Sequence, residues 1–138
     1  MSLYTAGWFE LPELIDRRTY QAIGEGAWEL LDERLLITLD RMRNVYGPMW
    51  INNWAQGGEK EWNGLWTPEC PFCNAYSQHF FGRAANITFE NFTVDEVHND
   101  IMNGYNLKEF EYITTVMNEP GYLHVDVRNG ERFTVLTA

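Results

Sequence analysis

Cysteine and histidine are scarce in this chain, with two cysteines and three histidines among 138 residues. Two cysteines cannot build a framework of several disulfides or a four-cysteine zinc cluster. Long apolar runs are missing, which excludes a transmembrane helix. The opening residues, Met1-Ser-Leu-Tyr-Thr-Ala-Gly-Trp8, have neither the basic region nor the apolar centre of a signal peptide. The expected localisation is therefore cytoplasmic, with export by another route or release by lysis left open. Positive charge is also short: 10 Lys and Arg stand against 20 Asp and Glu, for a net charge of -10. No basic cluster offsets this, so nucleic-acid backbones and anionic membrane surfaces are poor partners. A small peptide, which feels only its local site, is not excluded. Hydrophobic residues make up 45% of the chain, enough to build one core, and residues 1–138 read as a single domain.

Both cysteines fall in Cys70-Pro-Phe-Cys73. Three readings stay open: a redox pair, half of a structural zinc site, or two loop thiols that join in a local disulfide under oxidising conditions. The flanks, Thr-Pro-Glu before and Asn-Ala-Tyr after, read as loop, and there is no second cysteine pair. The loop reading is the simplest.

Periodicity orders the rest. Residues 12–23 read as a helix between Pro12 and Gly24. A stronger helix covers 33–46, capped by Asp32, with Leu35, Leu36, Leu39, Met42 and Tyr46 on one face and Gly47-Pro48 as its stop. Residues 49–52 read as a short strand. Residues 53–76 have no period but contain Trp54, Trp62 and Trp66, half of the six tryptophans. A connection of this length is expected to be packed or functional, its tryptophans either lining a groove or stapling the loop to the body. Residues 84–89 alternate as a strand with one buried face. Thr93-Val-Asp-Glu96 is a capping box opening a helix to about Met102. Phe110, Ile113 and Met117 suggest a helix over 107–118, ended by Pro120-Gly121. Residues 122–128 read as a strand, Asn129-Gly130 as a hairpin turn and 132–136 as the return strand. The expected class is α+β, with a small, mostly antiparallel sheet packed against helices.

The chemistry concentrates in two places. One is Ser77-x-His79-x-x-Gly82-x-Ala84-x-Asn86, and the other is His124-x-Asp126. On a strand, His124 and Asp126 share a face. If the strands carrying positions 86 and 124 are neighbours, His79, Asn86 and His124 converge. His98 falls within the capped helix and reads as a helix-surface residue.

This arrangement resembles the M15 metallopeptidases, the murein D-alanyl-D-alanine carboxypeptidases and L-alanyl-D-glutamate endopeptidases whose zinc fold is shared with the Hedgehog signalling domain. Their first motif is Ser-x-His-x-x-Gly-x-Ala-x-Asp, matched here at Ser77, His79, Gly82 and Ala84. Their second, His-x-Asp or His-x-His on a late strand, is matched by His124 and Asp126. The likeness covers roughly residues 30–137 and leans toward phage and prophage members, which carry a Trp/Gly-rich insertion where residues 53–76 lie. It implies a Hedgehog/DD-peptidase-like fold, zinc as cofactor and His79, Asn86 and His124 at the metal. Ser77, Gly82, Arg83 and Arg128 would support the site. Glu119 or Asp126 would move the proton, and Trp54, Trp62 and Trp66 would line a groove. The implied partner is a peptidoglycan stem peptide or a phage structural protein, and the implied location is cytoplasmic or phage-associated.

Three departures stand on the functional side. Asn86 puts a neutral amide where the motif has an Asp ligand. Gly121 stands where many members carry the acid/base residue. The Gly-Tyr-Arg-Ser segment that supplies a substrate-binding Arg is replaced by Asn53-Trp54-Ala55-Gln56-Gly57-Gly58. The expectation is an M15-like domain with weakened or lost zinc-dependent peptidase activity, acting as a binding or structural module. The alternative is an active zinc peptidase cutting stem-peptide amides through a zinc-bound water.

Overall fold

The computed structural model describes residues 4–73, 76–104 and 107–129. Among the described residues its framework is a small α+β domain in which a 4-stranded antiparallel sheet packs against three α-helices.

Helix α1 spans Arg17–Ile23 and α2 spans Glu33–Tyr46. The expected helix over 12–23 is divided. A 3-10 turn, Leu11–Glu13, comes first, and α1 starts afresh where the Asp16 carboxylate accepts the Thr19 amide. A local cap here outcompetes continuation of the helix. Helix α2 begins and ends as expected, at Asp32 and at Gly47 with φ 77°. Its inner face buries Leu35, Leu36, Leu39 and Met42, all at most 1% exposed, and each such side chain contributes roughly 1.5–3 kcal/mol. Asp40 on α2 accepts the Gly7 and Trp8 amides and the Tyr4 hydroxyl, pinning the N-terminal segment across the helix. Helix α3, Val94–Asn103, has the full Thr93/Glu96 capping box and buries Val97 and Ile101.

Strands β1 (Met49–Trp50), β2 (Ala84–Phe89), β3 (Thr115–Glu119) and β4 (Tyr122–Asp126) lie in the order β1-β2-β4-β3. Strand β1 is shorter than the expected 49–52, because at Asn52 the amide turns away to the Glu13 carbonyl. The expected helix over 107–118 is a 3-10 turn, Lys108–Phe110, followed by β3. Ile113, Thr114, Thr115 and Val116 form a β-branched run, and it pairs with β4 rather than coiling. Pro120-Gly121 is therefore a two-residue hairpin turn, with Glu119 opposite Tyr122 and Gly121 at φ 90°. The return strand expected over 132–136 lies outside the described residues.

Strand β2 was expected to bury one face. Ala84, Ala85, Asn86 and Ile87 are all buried. Ala85 and Ile87 belong to the main core. On the Ala84/Asn86 face, Asn86 meets His79, on whose ring Trp66 stacks.

Candidate functional site

The first motif is a turn, and each matched residue has a local reason. Ser77 caps the 3-10 turn Gln78–Phe81 by accepting the His79 amide. Gly82 ends the turn in the left-handed region at φ 67°, and a Cβ there would fall 2.0 Å from the Leu30 carbonyl oxygen. The Gly82 carbonyl in turn accepts the Asp32 amide at 2.8 Å. The turn is thereby seated on the entry to α2. Arg83 points the same way, 3.6 Å from the Asp32 carboxylate and over the Phe81 ring, rather than toward the histidines.

Strands β2 and β4 are neighbours, and Asn86 stands directly opposite His124. The His79 and His124 rings meet edge to face with centroids 5.2 Å apart. His79, Asn86 and His124 therefore converge as the spacing suggested. They do so under cover: they are 2%, 8% and 6% exposed. Trp66 stacks on His79 at 4.3 Å, nearly parallel, and its indole N–H donates to the Trp62 carbonyl. His79 Nδ1 lies 2.7 Å from the Gly64 carbonyl oxygen, to which it donates. Desolvation, and then the neighbouring His124, bring the His79 pKa down to about 4. Bonds to Gly64 and Asn86 and the charge of Asp126 oppose that shift without cancelling it.

His124 is held at both ends. Nδ1 is 3.1 Å from Asn86 Oδ1, and Nε2 is 2.8 Å from Asp126 Oδ2. Asp126 is wholly buried and takes a two-pronged bond from Arg128, Nε to Oδ1 at 2.8 Å and Nη2 to Oδ2 at 2.5 Å. Burial alone would raise its carboxyl, but the bonds from Arg128 and His124 outweigh burial and hold it at about 2. The reciprocal bond raises Arg128.

The expectation of zinc is corrected by this geometry. Among the described residues no group of three or more His, Cys, Asp or Glu side chains is placed to hold a metal ion. Position 86 supplies an amide in place of a carboxylate, and both nitrogens of His124 are committed to Asn86 and Asp126. The side chains do not fit zinc, which takes imidazole, thiolate and carboxylate donors with free lone pairs. Glu119, a candidate for proton transfer, ends β3 opposite Tyr122, and neither His124 nitrogen bonds to it.

The tryptophans divide between the two readings. Trp54 is a staple, donating to the Ile15 carbonyl beneath the Arg17 guanidinium. Trp66 is a staple on His79. Trp62 lines an open cleft together with Phe72 and Tyr122, two residues sequence reasoning did not single out. Cys70 and Cys73 form a disulfide, so the loop reading with a local bond describes them. Arg128, named from sequence as a supporting residue, is placed on the Asp126 carboxylate. The signal for this pairing was present in Asp126-x-Arg128, acid and base two apart on one face. No family model matches the chain, and neither curated proteins nor solved structures give a significant match.

Proposed function

We propose that this chain is an M15-like domain, Hedgehog/DD-peptidase-like in fold, that acts as a non-catalytic binding module for peptidoglycan stem peptides. Support for the family frame comes from the turn built by Ser77, His79 and Gly82 and from the pairing of positions 86 and 124 across β2 and β4. One observation carries the loss of catalysis. His124 is bonded at both nitrogens and Asp126 is locked by Arg128, so the place where a catalytic centre needs an open position is a closed hydrogen-bonded core.

The test is co-sedimentation with purified murein sacculi, run beside an assay for newly released amino groups and D-alanine. Binding without release is the expected result. Release that disappears in His79→Ala would overturn the non-catalytic reading. Failure to sediment would overturn the assignment to peptidoglycan and favour a phage structural protein as partner.

A further inference from the structure

Beside the buried core lies an open cleft of about 300 Å³, and its walls are aromatic. Trp62, Phe72 and Tyr122 line it, with Glu59, Lys60 and Glu61 at its rim. We propose that this cleft binds an organic ammonium group, held against the aromatic faces and neutralised by the rim carboxylates. The inference is independent of the peptidase-like reading.

Three features support it. The aromatic walls are held in place. Asn63, next to Trp62, donates its amide to Asn52 Oδ1 and its side-chain NH2 to the Ile51 carbonyl, and its own carbonyl accepts the Asn86 amide. Tyr122 opens β4 opposite Glu119. Phe72, 71% exposed, sits between the two residues of the Cys70–Cys73 disulfide, which hold it out at the mouth. Second, neither Trp62 nor Tyr122 makes a ring–ring contact among the described residues, so those rings are not used in packing against another aromatic. Third, the charge is complementary and unspent. Glu59, Glu61 and Glu119 make no ion pair among the described residues. The one local cation, Lys60, lies over none of the rings. Aromatic faces with adjacent carboxylates are what recognises ammonium groups, because the ring quadrupole attracts a cation that is only loosely hydrated.

The experiment is an amide-resolved NMR titration of the full chain with choline, with N-acetyl-lysine methylamide, with the neutral carbon isostere of choline and with N-acetylglucosamine. Saturable shifts at Trp62, Asn63 and Tyr122, with a dissociation constant on the order of millimolar, are expected from the cations. Tighter choline binding assigns a quaternary ammonium as the ligand, and tighter lysine binding assigns a peptide side chain. Trp62→Ala is expected to weaken binding roughly three- to tenfold. The paired substitutions Glu59→Gln and Glu61→Gln, on the rim, weaken it without touching the loop's anchors, and added salt does the same. Equal shifts from the neutral isostere, shifts from the sugar alone, or none from either cation would overturn the proposal.

Discussion

His79 gives the sharpest handle on the buried core, because its burial converts directly into a pH dependence of stability. It is 2% exposed, stacked under Trp66 and bonded to the Gly64 carbonyl. Desolvation leads the effects that take its pKa from 6.5 to about 4. An unfolded chain leaves the same imidazole near its ordinary value. Between the two values the unfolded state binds more protons than the native state, so stability is complete above about pH 6.5 and falls as pH drops toward 4. The gap from 6.5 to about 4, at about 1.4 kcal/mol per pH unit, amounts to about 3 kcal/mol. That is a large share of the 5–15 kcal/mol typical of a domain. Urea unfolding followed by tryptophan fluorescence, repeated in steps from about pH 7 to about pH 4, reads it directly. His79→Gln is the comparison. Its amide can still donate to Gly64 but does not titrate, so its stability is offset yet nearly level over this range. A wild-type slope below about 1 kcal/mol, or a slope that persists in His79→Gln, would refute the reasoning.

Three further substitutions have expected outcomes. Asp126→Asn should lower stability by about 2 kcal/mol at neutral pH, since the carboxyl is held at about 2 against an ordinary 3.8 despite its burial. That stability is present above about pH 4 and lost as pH falls toward 2, so the gap to wild type should close in acid; equal urea midpoints at neutral pH would contradict it. Gly82→Ala should cost more than about 3 kcal/mol, combining a positive φ with a Cβ 2.0 Å from backbone. Gly121→Ala, at φ 90° with nothing within 4 Å, should cost only about 1 kcal/mol, and similar urea midpoints for the two variants would show that the Leu30 contact gives way.

The parts of the fold that could be read from sequence were those governed by local signals. Helix α2, its Asp32 cap and its Gly47 stop follow from spacing alone, as does the Thr93/Glu96 box. The 107–118 segment misled because Phe110, Ile113 and Met117 are spaced for a helix, while the β-branched residues among them pair with β4. That preference is satisfied only by a partner strand, and spacing within the segment does not reveal it. The convergence of His79, Asn86 and His124 was legible because strand periodicity and one assumed pairing suffice to place them. What they do once together was not legible. It depends on how Arg128 reaches back to Asp126 two residues away and on Trp66 folding over His79, the latter a contact supplied by the loop that has no period.

These contacts also explain why an amide suits position 86. The buried carboxylate of Asp126 is bonded at both prongs by the partly exposed guanidinium of Arg128, so their charges cancel. A carboxylate at position 86, 8% exposed, would add a second negative charge with no second guanidinium beside it. Burying such a charge costs several kcal/mol unless a cation accompanies it. Asn86 keeps a neutral hydrogen-bonding group against His124 Nδ1 and omits the charge. Asn86 and Arg128 are therefore two halves of one adjustment. With Arg128 neutralising Asp126, the neutral amide is the group that closes the core without leaving a charge unpaired.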